Sequence, residues 1–342
     1  FLQAGLKSCT LQPMKKGVEH SHISDSCEME NDTFPLYFYF TLYRDQGHLK
    51  YLYFLIMLSV YAAILIFNAS IILVVMKEKS LHEPMYIFIS CLSVNSLYGT
   101  AGLFPRLSID ILSDSHVISR PACFTQIYVI YSYSHSELTI LAVMAYDRYV
   151  AICQPLHYHS IMTVRTTALL IAGAFFWAFL SIALVVIPAT RLPLCGRTIS
   201  RLYCSNWSIA RLSCVSTASN NALGLFVLTT SVFLPSGFIL YSYIRILIVC
   251  QRSSSEFRGK ALQTCLPHIV TFVTYSVALF CDVLLNRFQL DQIMTIVALV
   301  FSLEFLVVSP VINPLIYGLT LPEIRKKNPI FTHSSKISIM SK

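Results

Sequence analysis

Three observations predict an all-α membrane protein, a seven-transmembrane helix bundle. Hydrophobic residues make up 55% of the chain and charged residues 12%, far below the charged share of an ordinary soluble domain. The mean hydropathy of +0.64 leaves too little polar surface to hold the protein in water, which excludes a soluble enzyme and a disordered chain alike. Runs able to cross a hydrocarbon layer of about 30 Å recur seven times, apolar all round rather than weakly alternating, which favours helices over a barrel.

The runs cover residues 51–76, 85–105, 121–146, 166–190, 212–244, 261–281 and 292–317. Five contain no Asp, Glu, Lys or Arg, the sixth among them with His268 as its one ionisable side chain apart from Tyr and Cys; the third carries Glu137 and the seventh Glu304. No small-residue cleavage pattern follows the first run, so it reads as a true span and not as a signal peptide. Met29 would make an ordinary start, and residues 1–28 read as an upstream extension. The organisation expected is a tail over 1–50, a seven-span domain over 51–319 and a tail over 320–342 that begins as a short cytoplasmic helix.

Lys and Arg divide almost evenly between the two sides, so the positive-inside rule does not orient the chain. Cysteines and sequons do. Cys195, Cys204 and Cys214 lie between the fourth and fifth spans, and Cys123 opens the third at the same face, a clustering that suits an oxidising compartment. Asn206-Trp207-Ser208 in that loop and Asn31-Asp32-Thr33 in the tail are glycan acceptors only on the luminal side. The N-terminus is therefore expected outside. The residues alone leave three pairings open for the four outer cysteines.

The third span ends in Met144-Ala145-Tyr146-Asp147-Arg148-Tyr149-Val150-Ala151-Ile152-Cys153. An acid beside an arginine can hold it in a local ion pair and release it when helices part. This run resembles that of the odorant receptors among the rhodopsin-like G-protein-coupled receptors. Four further segments are similar in order: Leu81-His82-Glu83-Pro84-Met85-Tyr86, Ser242-Tyr243-Ile244-Arg245-Ile246-Leu247, Lys260-Ala261-Leu262-Gln263-Thr264-Cys265 with His268, and Pro310-Val311-Ile312-Asn313-Pro314-Leu315-Ile316-Tyr317. The second and seventh spans look most like those of fish receptors.

The resemblance implies a multi-pass plasma-membrane protein that binds a small odorant within the bundle and activates a heterotrimeric G protein of the stimulatory, cyclic-AMP-raising type. Its partners would be odorant, G protein and lipid bilayer, with no nucleic acid. It gives Asp147, Arg148, Tyr149, Tyr243, Asn313, Pro314 and Tyr317 roles in coupling and switching, Tyr243 and Tyr317 turning inward to meet near Arg148. It pairs Cys123 with Cys204 and Cys195 with Cys214. Pro314 removes a helix hydrogen bond, so a kink is expected near Asn313.

The default ligand cavity of such a bundle lies among the outer halves of the third, fifth, sixth and seventh spans. Ile127, Ile130, Tyr131 and Ser134 share a helix face bordered by His135, with Val227, Ser231, Tyr275, Leu279 and Leu303 as companions. Tyr275-Ser276-Val277 replaces the family's Phe-Tyr-Gly, which puts a toggle role for Tyr275 in question. Glu304 could meet ligand, water or a neighbouring His or Tyr.

Glu137 stands eleven residues before Arg148, close to three turns, so both face the interior. Asn95 occupies the place where most relatives in the wider class carry a sodium-binding Asp. Either Glu137, Asn95 and Asn313 share a sodium ion, or a protonated Glu137 is hydrogen-bonded to its neighbours. No other cofactor and no transition-metal site is expected. The basic run Arg325-Lys326-Lys327 reads as the start of a helix on the anionic leaflet, and Arg245, Arg252, Arg258 and Lys260 flank a short inner loop. The alternatives are a rhodopsin-like receptor for a peptide or lipid and, more remotely, a transporter, although no paired repeats or charged rings are visible.

Overall fold

The computed structural model describes residues 34–42, 47–251, 255–285, 287 and 292–332. Asn31 and Arg252 lie outside the described residues, as do the side chains of Arg258 and Lys260. The first three long helices are α1 (Leu49–Lys77), α2 (Pro84–Leu112) and α3 (Arg120–Cys153). After the short α4 (Tyr158–Ile161) come α5 (Val164–Ala189), the short α6 (Asn206–Ala210), α7 (Ala218–Gln251) and α8 (Ser255–Leu285). The last span is α9 (Gln292–Leu303), a π-helical stretch Glu304–Val308 and α10 (Ser309–Thr320), followed by α11 (Pro322–Lys327).

Among the described residues six helical segments are long and apolar enough to cross a membrane, and α3 is the seventh span. Its lower apolarity has a positional cause. α3 packs against α2, α5, α7 and α8, and its Ser132, Ser134, His135, Ser136, Glu137 and Asp147 are all buried. The central helix meets protein rather than lipid, so it can carry the polar groups that a peripheral helix cannot.

Lipid tails are as apolar as leucine, so helix association rests on close packing and interhelical hydrogen bonds. Gly99 and Gly102 supply the close packing between α2 and α3. A Cβ at Gly99 would overlap the Tyr133 ring, and one at Gly102 would press on Val129. Pro84 opens α2 as expected, and Ser119 and Thr163 cap α3 and α5 by accepting from the backbone N–H of Ala122 and Thr166.

Several helices run past the ends of the apolar runs, and two boundaries have a cause visible in the contacts. The second helix runs on from 105 to Leu112 because Arg106 and Asp110, one turn apart, form an ion pair, and Arg106 also donates to the Val117 carbonyl at 2.7 Å. The fifth helix begins at Ala218 rather than at 212, since Cys195 and Cys214 are bonded and Leu194 pairs with Ser213 across the preceding loop.

A small sheet that the sequence did not suggest covers the outer mouth. β1 (Tyr37–Phe40) pairs antiparallel with β2 (Val117–Ser119) and parallel with β3 (Thr198–Ile199). Phe38, Phe40, Ile118 and Ile199 point inward and are buried. Both disulfides form as the resemblance implied, Cys123–Cys204 with a Cα separation of 5.5 Å and Cys195–Cys214 with 5.1 Å. In the chain-entropy picture closing loops of 81 and 19 residues restricts the unfolded state by about 4.5 and 3.3 kcal/mol.

The seventh span is irregular earlier than expected. The Ser309 N–H reaches back five residues to the Glu304 carbonyl, and continuing that register would require an N–H from Pro310, which has none. The Phe305 carbonyl is instead filled by the Tyr133 hydroxyl at 3.1 Å. Pro314 likewise cannot serve the Pro310 carbonyl four residues back, and Asn68 Nδ2 from α1 donates to it at 2.8 Å. Two proline-orphaned carbonyls are thus met by side chains of other helices.

Beyond α10 the chain folds against the inner end of α1. Phe331 is buried with its ring over Gly318, where a Cβ would overlap it. Lys327 is held by Glu78 at 2.8 Å, so this member of the basic run binds protein rather than the leaflet.

Candidate functional site

At the inner end of α3, Arg148 forms an ion pair with Asp147, whose other oxygen accepts from the Tyr158 hydroxyl at 2.8 Å. The Asp147 side chain is fully buried and that of Arg148 is 16% exposed. Removing either partner would strand a buried charge at a cost of about 3–5 kcal/mol. Burial and the Asp147 charge push the Tyr158 hydroxyl well above its ordinary pKa, so it stays a donor at any physiological pH. Tyr243 is hydrogen-bonded to His268 Nδ1, tying α7 to α8, and Tyr317 Oη is buried beside Thr271. Tyr149 stands apart from this cluster. Its ring packs 6.3 Å from that of Tyr241.

At mid-depth both oxygens of Glu137 are occupied. Asn95 Nδ2 donates to one at 2.8 Å and Asn313 Nδ2 to the other at 2.7 Å, so α2, α3 and α10 meet on one fully buried carboxyl. Asn95 also donates to the Tyr133 carbonyl at 3.1 Å. Two N–H donors suit a carboxylate, which only accepts, better than a protonated acid that must also place an O–H. Among the described residues no cationic side chain pairs with Glu137. Asn95 Oδ1 is buried and accepts no hydrogen bond among the described residues.

Tyr133, Tyr275 and Phe305 form an edge-to-face chain with ring centroids 6.3 Å apart in both steps. This places Tyr275 in packing between α3 and the π-helical stretch. Glu304 heads that stretch with its Oε2 buried and without a partner.

The outer cavity holds about 70 Å³ and lies between α3, α5, α7 and the loop that carries α6. Tyr131, His135 and Val227 line it as the sequence suggested. Ile127, Ile130, Ser134, Ser231, Tyr275 and Leu279 are buried but belong to helix packing and do not line it. Leu303 is displaced altogether, since it turns toward α1 and lines a separate chamber. Ile182 and Val185 of the fourth span were missed, because a run apolar on all sides does not reveal which side faces inward.

Asn206 also lines the cavity, with its Oδ1 buried, while Ser208 is engaged with Ser205 at the start of α6. Asp282 was missed because the sixth apolar run was ended one residue before it. It is buried and accepts from Tyr203 Oη at 3.0 Å and from Ser302 Oγ.

Seven spans, six of them around the polar central α3, with a disulfide pinning the loop over the mouth, make this a rhodopsin-type bundle. The crystal structure of squid rhodopsin superposes with a TM-score of 0.65 at 17% identity, covering 81% of this chain and 80% of that one. The sequence narrows the class further. The olfactory receptor family model matches residues 57–331, and the chain belongs to that family. Olfactory receptor 4B13 of Mus musculus is 35% identical over 283 residues, 81% of this chain and 89% of the relative. Olfactory receptor 51I2 of Homo sapiens is 34% identical over 279 residues, 81% of this chain and 89% of the relative. It is accordingly a multi-pass membrane protein.

Proposed function

We propose that the protein is an odorant receptor that takes a small extracellular molecule into the cavity beneath the outer loop and signals through a heterotrimeric G protein of the stimulatory type, raising cyclic AMP. The observation that carries this reading is the caged Arg148, held by Asp147 at the inner end of the helix whose outer half presents Tyr131 and His135 to the cavity. One helix of 34 residues joins the two ends. At 70 Å³ the cavity is smaller than the roughly 150 Å³ that admits benzene in an engineered core, so an odorant must enlarge it by moving α5 or α7 away from α3. That outward movement is the means of pulling on the inner ends.

The test is a cyclic-AMP reporter in cells carrying the stimulatory G protein, screened with small odorants and then with peptides. Arg148→Ala should abolish the odorant response at normal surface level. An undiminished response would refute the switch, and a response to peptides alone would refute the odorant reading.

A sodium ion at Glu137 belongs to the same proposal. Glu137 and Asn95 Oδ1 would hold it, with Asn313 turned to present its oxygen, and the ion would neutralise an otherwise uncompensated buried charge. Replacing sodium by choline should lower the unfolding temperature of the wild type and leave that of Glu137→Gln unchanged. Equal sensitivity of the two would count against the ion.

A further inference from the structure

The largest of the cavities described is not the one beneath the outer loop. A chamber of about 560 Å³ lies between α1, α2 and the seventh span, within the size range of ligand sites and many times the volume of the first cavity. Its lining is apolar, with Ile56 and Val60 from α1, Leu107 from α2 and Leu299 and Leu303 from the seventh span. Ile56 is 53% exposed and Leu303 37%, so the chamber is open at its side on the lipid-facing surface of the spans. A second cavity of about 120 Å³ continues it outward, since Leu42, Leu202 and Leu299 line both.

This annex has a different chemistry. Ser200, Arg201, Tyr203, Ser205 and Ser302 contribute to its wall. Arg201 is half-buried and makes no ion pair or side-chain hydrogen bond among the described residues. The nearby acid, Asp282, accepts from the Tyr203 and Ser302 hydroxyls and acts on Arg201 through its charge without a direct ion pair between the two among the described residues. An apolar chamber open to lipid, ending at a free guanidinium, is complementary to one kind of molecule.

We propose that the chamber and its annex are a second ligand site that takes a single-chain anionic amphiphile from the outer leaflet, its tail among Ile56, Val60 and Leu303 and its carboxylate on Arg201. The fork of a guanidinium matches a carboxylate with two parallel hydrogen bonds, which an ammonium cannot reproduce. Burial depresses the Arg201 pKa even though the Asp282 charge opposes the shift, so the guanidinium is short of solvent. The site stands apart from the odorant cavity and does not depend on the signalling reading.

The probe is a long-chain fatty acid with a terminal diazirine, photolysed on the full-length receptor in phosphatidylcholine nanodiscs, with labelled peptides located by mass spectrometry. Label is expected on residues 53–60 and around Leu303, competed by the unlabelled acid, about tenfold less well by the alcohol of equal length, and not by the amine. Arg201→Gln should weaken labelling about tenfold, roughly the worth of one charge-assisted hydrogen bond, and Arg201→Lys should recover part of it. Val60→Trp should abolish it by filling the chamber. Should that variant fail to fold, the Arg201 pair decides alone. Labelling as dense on the lipid face of α5 at Phe176 and Trp177, equal competition by the amine, or indifference to Arg201→Gln would each overturn the proposal.

Discussion

Asn68 offers the sharpest test of how this bundle is held together. Its Nδ2 supplies the Pro310 carbonyl with the hydrogen that Pro314 lacks, at 2.8 Å. It also reaches the Ile64 carbonyl at 2.9 Å, but that oxygen already has a partner within α1, so Asn68→Ala orphans only Pro310. An interhelical hydrogen bond in a membrane is worth about 0.6 kcal/mol on average, whereas a buried carbonyl left without any donor costs about 1–3 kcal/mol. The two figures separate a replaceable contact from a structural one, and burial of Asn68 at 0% exposure predicts the upper range because no water reaches the vacated oxygen. The assay is unfolding in mixed micelles by titration with dodecyl sulfate. Pro314→Ala restores an N–H in register with the Pro310 carbonyl, so Asn68→Ala should cost under about 0.5 kcal/mol in that background. Additive effects of the two substitutions would refute the reasoning, because the carbonyl would then have had no shared claim on both donors.

Three further substitutions address the two ends of α3. Tyr158→Phe removes the hydroxyl that fills the second oxygen of Asp147 without touching the ion pair, so basal cyclic AMP should rise severalfold as the cage on Arg148 loosens; an unchanged baseline would show that the tyrosine is only packed there. Val227→Trp should shift odorant dose-response curves at least tenfold by occupying the outer cavity, while Leu303→Ala should leave them in place because that side chain lies in the other chamber. Reversal of this order would put the odorant back among the third, sixth and seventh spans.

The number of spans and the central charge pair were legible in the sequence because each rests on a local pattern, whereas the residues left three cysteine pairings open and only the family resemblance implied the one that forms. A run without charges has only one stable home in a bilayer, and Asp147-Arg148 carries its own partner. The partners of Glu137 were also readable, since Asn95 and Asn313 sit at helical positions that a seven-span topology brings to mid-depth. What was illegible depends on rotation and on long-range pairing. Leu303 and Ile182 occupy equally apolar runs, and only packing decides that one turns toward α1 and the other toward the odorant cavity. β1 could not be foreseen, because its four residues gain a sheet only from strands about 80 and 160 positions away.

The prolines show the same division between local and distant information. From sequence, Pro314 predicts a missing hydrogen bond and therefore a kink. The structure shows where the missing bonds were replaced. Tyr133 serves Phe305 and Asn68 serves Pro310, so the seventh span is clamped to α3 at one carbonyl and to α1 at the other, with Asn313 and Glu137 as a third tie between them. Each tie spans two helices and none is covalent, so the segment between Glu304 and Pro314 is the part of the bundle that can exchange partners without breaking its own backbone ladder. Tyr133 lies two residues from Tyr131 and from His135, which face the odorant cavity. A ligand that rotates this turn of α3 must therefore strain the Phe305 clamp first, before any force reaches Arg148.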